Sequence, residues 1–138
     1  MKLPKTGIPV YGDPTYRGAC PNETVEQVTL VSRIRKTPYG ILLVHVRNEG
    51  KRTQYQAMQH KAEGMTRGAS DIIIPGSPAF VCELKRRDIT KSAWQEGQEE
   101  YLLAALDAGA FACVALGCDA AWEAFLEWQS VIEKSRLS

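Results

Sequence analysis

The stretch DIIIPGSPAFVCELK, Asp71 to Lys85, limits the fold more than any other part of the chain. Two short apolar runs, III and AFVC, flank a PGSP segment whose residues favour a tight reversal. A strand over 71–74, a turn and a second strand over 80–84 are expected, paired as an antiparallel hairpin. Antiparallel partners run in opposite directions, so an acid opening one strand and an acid near the end of the other arrive at the same end. Asp71 and Glu83 stand in those places. Glu83 and Lys85 are two residues apart and share a face by the period of two, while Leu84 between them turns to the core.

Two carboxylates and an ammonium on one face have a limited range of uses. Paired carboxylates repel unless a proton or a cation lies between them. Hard oxygen ligands in that number suit Mg²⁺ or Mn²⁺, which keep several waters and bind few protein carboxylates. Such an ion polarises a phosphodiester and lowers the pKa of a bound water, and a neighbouring lysine steadies the charge that develops. A hairpin rimmed by structural salt bridges is the competing reading of the same three residues.

Around the hairpin, hydrophobic periodicity orders the chain as α-β-(α)-β-β-α-β-α, an α/β domain. The first twenty residues, rich in Pro, Gly and Thr, read as an irregular arm, and residues 21–138 as one domain of a size that buries a single core. NETVEQVTLVSRIRK predicts a helix with Val25, Val28, Val31 and Ile34 inward. GILLVHV predicts a strand over 40–46, and TQYQAMQHKAEG a short helix closed by Gly64. After KRRDITKS, WQEGQEEYLLAALDAG predicts a helix with Trp94, Tyr101, Leu102, Ala105 and Leu106 on one side. AFACVALG then reads as a buried strand and DAAWEAFLEWQSVIEK as a last helix capped by Asp119. Trp94, Trp122 and Trp128 read as core or interface, and Gly68 as permitting a turn near the acids.

Other features exclude some functions. The four cysteines, Cys20, Cys82, Cys113 and Cys118, form no CxxC pair and stand far from the two histidines, His45 and His60, so zinc spacing is missing and buried reduced thiols are expected. No run approaches the roughly 18 to 20 apolar residues of a membrane span, and the N-terminus lacks a secretory core. A soluble intracellular protein with no membrane partner is expected. The net charge is only +1, but it is unevenly spread: residues 51–91 carry eight Lys or Arg against four acids, and residues 92–138 carry two against eight. A polyanion would be met by the middle segment, through Lys51, Arg52, Arg67, Arg86, Arg87 and Lys91. His45 and Asn48, at the end of the predicted strand, either cap it or touch the same polyanion.

The ExxxQ pattern from Glu23 to Gln27, HVRNEGKR, EGMTRGASDIIIP, FVCELKR and the glutamine opening QEEYLLAALDAGA together resemble the VRR-NUC nucleases of the PD-(D/E)xK superfamily, over about residues 22–128. The chain looks most like the small stand-alone versions of phages and prophages. One departure from the superfamily label is Ser70 in place of proline before Asp71. That proline contributes no ligand.

The resemblance implies a restriction-endonuclease-like α-β-β-β-α-β core with a mixed central sheet flanked by helices. It implies Asp71 and Glu83 as ligands of Mg²⁺ (or Mn²⁺), helped by the main-chain carbonyl of Leu84, with Lys85 as catalytic lysine. For the helix glutamine Gln98 is preferred to Gln95, and for the first-helix acid Glu23 is ranked ahead of Glu26. The activity implied is that of a metal-dependent DNA endonuclease in the cytoplasm of a bacterial or phage-infected cell. Selectivity for branched DNA such as a Holliday junction is expected, and its two symmetric scissile bonds would call for a homodimer. A non-catalytic DNA-binding module and a restriction-type nuclease are the alternatives. The first would have been favoured by loss of Asp71, Glu83 or Lys85, and the second by a recognition domain for which the chain has little room.

Overall fold

The computed structural model describes residues 1–46, 54–62, 64 and 68–137. Along the chain come β1 (Val10–Tyr11), α1 (Glu23–Arg35), β2 (Val44–His45), α2 (Gln54–Ala62), β3 (Ile72–Ile74), β4 (Phe80–Lys85), α3 (Gln98–Asp107), β5 (Phe111–Leu116) and α4 (Cys118–Leu137), with 3-10 turns at Gly40–Leu42 and Ile89–Lys91. The five strands form one mixed sheet in the order β1-β5-β4-β3-β2. β3 runs antiparallel to β2 and β4, whereas β4, β5 and β1 are parallel. From α1 to β5 the order is the α-β-β-β-α-β core that the resemblance implies, with α2 inserted between β2 and β3.

The parallel step from β4 to β5 requires a crossover, and α3 supplies it. Because helices then cover both faces, the central strand β4 is buried along its whole length. Phe80, Cys82 and Leu84 join Leu30, Ile34, Phe125 and Trp128 on the side of α1 and α4, while Val81 joins Leu102, Val114 and Ile8 on the side of α3. The period of two sends Glu83 and Lys85 the way of Val81. A strand buried on both faces that carries two charges must give each a partner.

Four local expectations need correction. In α1 the inward row is Glu26, Leu30 and Ile34, while Val25 and Val28 are 49% and 64% exposed. The helix is rotated from the valine face because Glu26 carries its carboxylate inward to the start of α4, where it accepts the N–H of Cys118. The expected strand over 40–46 survives only at Val44–His45, which pair with Ile73 and Ile72. Gly40 lies against the end of α1, where a Cβ would sit 2.6 Å from Arg35 Cα, and the chain coils there before it can pair. α3 begins at Gln98, not at Trp94, because Gly97 at φ +88° is left-handed and cannot continue a helix backwards. Finally, α4 begins at Cys118. Asp119 lies in its first turn, exposed, and pairs with Arg33 at 3.2 Å rather than capping it.

The first twenty residues are irregular apart from β1 and the turns beside it, yet they are tied to the domain. Ile8 enters the core, Val114 N–H donates to the Pro9 carbonyl at 3.0 Å, and Tyr11 hydroxyl donates to Glu127 at 2.5 Å.

Candidate active site

In the β3–β4 ladder Ile72 stands opposite Cys82, so one step further out Asp71 stands opposite Glu83. Asp71 precedes the first residue of β3, and its side chain reaches across to β4, where Oδ2 accepts the Leu84 N–H at 2.9 Å. Its carbonyl accepts the Val46 N–H at 2.9 Å and lies 3.1 Å from His45 Nδ1. A carbonyl only accepts, so the His45 tautomer that satisfies this contact carries its proton on Nδ1.

Glu83, Lys85 and Gln98 form one buried network. Gln98 Nε2 donates to Glu83 Oε1 at 2.9 Å, and Gln98 Oε1 accepts from Lys85 Nζ at 2.9 Å and from the Gln95 N–H at 2.8 Å. Lys85 Nζ also donates to the Ala93 carbonyl at 2.8 Å and lies 3.7 Å from Glu83 Oε1. Gln98 thus bridges the two charges. Gln95 enters the network through its main chain and lines the cleft beside it.

A backbone contact sets where Gln98 stands. Gly68, at φ +78°, lies so close to the start of α3 that a Cβ on it would be 2.3 Å from Gly97 C, 2.5 Å from Gly97 O and 2.7 Å from Gln98 N. The loop leading to Asp71 and the turn leading to Gln98 are therefore pressed together, backbone on backbone. Gly68→Ala should push them apart and impose left-handed strain on alanine, lowering stability by about 1–3 kcal/mol. A thermal melt shows this as a clear drop in Tm, and an unchanged Tm would contradict the contact.

Electrostatics set the acids apart from surface carboxylates. Burial pushes the Glu83 carboxyl well above its ordinary range, and the charge of Asp71 pushes it further. Burial also raises Asp71, offset in part by the neighbouring Glu83 carboxyl, with which it can share a proton, then by its Leu84 hydrogen bond and by Lys85. Two buried carboxylates face one ammonium, and Glu83 Oε2 is buried with no hydrogen-bond partner among the described residues. A buried polar atom without a partner costs on the order of 1–3 kcal/mol unless something fills its valence. A hard divalent cation fits that need. Among the described residues no group of three or more His, Cys, Asp or Glu side chains is placed to hold a metal. Two carboxylates, with no cysteine or second histidine among the described residues placed to join them, are hard oxygen donors, the chemistry that suits Mg²⁺ or Mn²⁺ rather than zinc.

The acids open on a cleft of about 770 Å³, walled by Glu23, Thr24, Gln27 and Val28 of α1 and by His45, Gln95 and Gln98. Glu23 reaches it, holding the Ser92 hydroxyl at 3.1 Å, and its charge adds to the upward pressure on Glu83. Glu26 does not line the cleft, because its carboxylate is spent on the start of α4.

Of the basic residues expected at a polyanion, Asn48's neighbours Lys51 and Arg52, together with Asn48 itself and Arg67, lie outside the described residues. The other three hold the N-terminal arm. Arg86 donates to the carbonyls of Pro21 at 3.0 Å and Cys20 at 2.8 Å, Arg87 stacks 3.8 Å over the Tyr16 ring, and Lys91 donates to Gly18 O at 2.8 Å. Asp88 completes the fastening by accepting from Thr90 and the Gly18 N–H, which hold its carboxyl down to about 2. Sequence reasoning missed this role of the arm. It also missed the Ala93 carbonyl, which acts through its main chain and so leaves no side-chain signal.

A solved structure described as a "VRR_NUC domain protein" superposes on this chain with a TM-score of 0.64 and 20% identity, over 81% of this chain and 89% of that one. No protein-family model and no curated protein matches the sequence. The chain therefore shares the fold of that VRR_NUC domain protein, a mixed five-stranded sheet flanked by helices.

Proposed function

We propose that this domain is a metal-dependent DNA endonuclease, and that Asp71, Glu83 and Lys85 carry its chemistry. The observation that supports this most is the buried carboxylate pair with an unpartnered Glu83 oxygen beside a pinned ammonium, on a fold shared with a VRR_NUC domain protein. Asp71, Glu83 and the Leu84 carbonyl would hold Mg²⁺ or Mn²⁺, with Glu23 at the margin of the cleft. A bound ion there supplies Lewis acidity to the phosphodiester and a more acidic water.

The protein's own groups account for the rest. Hydrolysis adds a water oxygen to phosphorus and breaks one P–O ester bond; of the water's two protons one ends, by way of solvent, on the leaving oxygen as the hydroxyl end, and the other stays on the phosphate end or passes to solvent. Negative charge grows on the phosphate oxygens as the new bond forms. Lys85 opposes that charge from a fixed position, since an ammonium has three donors and two are already aimed at Ala93 O and Gln98 Oε1. Gln98 keeps Glu83 and Lys85 in register. His45 lines the cleft with Nδ1 committed to the Asp71 carbonyl, which leaves Nε2 as its polar atom for a phosphate.

The substrate proposed is branched DNA, cut by a homodimer, because one active site per chain requires a twofold partner to cut the two symmetric bonds of a four-way junction. The test is cleavage of end-labelled four-way junction, flap, nicked and linear duplex in Mg²⁺, Mn²⁺ and Ca²⁺, alongside sedimentation. The expected result is paired symmetric nicks in the junction with Mg²⁺ or Mn²⁺, binding without turnover in Ca²⁺, and a dimer at working concentration. Equal cutting of linear duplex and junction by a monomer would reject the selectivity and leave a general nuclease. No cutting of any substrate would reject the activity.

A further inference from the structure

Lys85 is 2% exposed, yet the segment that holds its ammonium is not regular structure. Ala93 and Trp94 lie between the 3-10 turn at Ile89–Lys91 and the start of α3, where no helix or ladder fixes the main chain. Even so, the Ala93 carbonyl is 2.8 Å from Nζ, and the ring of Trp94 has its centroid 5.3 Å from Nζ. The question is what keeps this segment in place.

Ser92, which accepts the Arg86 N–H, and the Gln95 N–H bond to Gln98 hold its flanks, and the N-terminal residues hold Trp94. Trp94 Nε1 donates to the carbonyl of Lys2 at 2.9 Å, and the half-buried ring packs on the cluster containing Ile8 and Leu102. A few residues on, the Lys5 N–H donates to Glu99 at 2.8 Å and Lys5 Nζ to Glu100 at 3.4 Å. Residues 2–8 therefore cross over both ends of the stretch from Trp94 to Glu100, and Trp94 is the side chain through which this strap reaches Lys85.

We propose that Trp94 is a positioning residue for Lys85: packed by its ring against the cluster of Ile8 and Leu102, it fixes the Ala93 carbonyl and presents its ring face to the ammonium. The catalytic consequence rests on the nuclease reading above, whereas the positioning itself does not. Without the ring, the 92–97 segment loses its anchor, one of the two fixed acceptors of Nζ drifts, and the aromatic face that favours a cation is gone. Lys85 then samples orientations that do not meet the phosphate. The acids, the α1 wall and His45 are not touched by the change, so DNA binding persists.

The test compares wild type, Trp94→Ala and Trp94→Phe by two readouts. The first is the ¹⁵N signal of the Lys85 ammonium, assigned by its loss in Lys85→Ala and visible because a buried, hydrogen-bonded ammonium exchanges slowly with water. It should persist in wild type and Trp94→Phe and vanish in Trp94→Ala. The second is single-turnover cleavage with DNA affinity measured beside it. Trp94→Ala should lose roughly 10- to 100-fold in rate with affinity held, the size of effect that a misplaced group produces, and Trp94→Phe should recover most of it. If Trp94→Ala does not fold, Trp94→Leu, which keeps packing volume without a ring face, should lose the signal in its place. A retained signal and rate in Trp94→Ala, equal losses in Trp94→Phe, or rate and affinity falling together would overturn the proposal. If wild type cuts no DNA, the nuclease reading fails, and the ammonium signal alone still decides the positioning.

Discussion

Asp71→Asn and Glu83→Gln are each expected to bring metal-supported cleavage down to background while leaving DNA affinity equal or higher, since each removes negative charge near the phosphates. The second change should also stabilise the metal-free protein at neutral pH. Burial and the neighbouring Asp71 raise the Glu83 carboxyl well above its ordinary range, so the folded chain holds that proton more tightly than the unfolded chain does. The resulting stability is fully present below the ordinary glutamate range and is lost as pH rises through the raised value. Melts of wild type in a chelator should therefore show Tm falling as pH rises above the ordinary glutamate range, with a flatter profile and a higher neutral Tm for Glu83→Gln. Full cleavage by either folded variant would remove these acids from the site. An unchanged pH slope in Glu83→Gln would contradict the electrostatic account.

Lys85→Ala should lower the single-turnover rate by roughly 10²-fold or more, the scale on which a fixed donor at developing charge acts. Removing the ammonium also leaves Glu83 facing Asp71 with no counter-charge, so Lys85→Met, which keeps the buried stem, separates lost chemistry from lost packing. Lys85→Arg should not rescue. Nζ is held as a point donor by Ala93 O and Gln98 Oε1, and a planar guanidinium cannot reproduce that geometry in the same volume. Gln98→Ala should cost more than Gln95→Ala, because the Gln98 amide bridges both charges whereas Gln95 contributes its main-chain N–H to the network. Single-turnover rates at saturating enzyme settle the ranking, and the reverse order would move the bridging role to Gln95.

What the sequence makes legible here follows from which forces are local. The hairpin can be read because turn chemistry and a period of two are local, and together they determine that Asp71 meets Glu83 and that Lys85 shares the face of Glu83. The order of elements from α1 to β5 is legible for the same reason. The face of α1 is not, because Val25 and Val28 give a plausible apolar row and only the long-range demand of α4 for an acceptor turns Glu26 inward. Arg86, Arg87 and Lys91 look like phosphate contacts by charge alone. Their partners are main-chain carbonyls and a tyrosine ring of the arm some seventy residues earlier, and no sequence period encodes such contacts. The arm itself lacks periodicity because its hold is made through backbone groups, Lys2 O and Pro9 O among them.

The carboxylate pair can be read directly by calorimetric titration of Mn²⁺ into wild type and Glu83→Gln at neutral pH, repeated in buffers of different ionisation enthalpy. Wild type should bind the ion and release protons as it does so, because carboxyls raised by burial must give up their protons to become ligands. Glu83→Gln should show no binding at the same concentrations. Equal affinity in the two proteins, or wild-type binding with no proton release, would contradict the assignment of Asp71 and Glu83 as the seat of a metal-dependent nuclease.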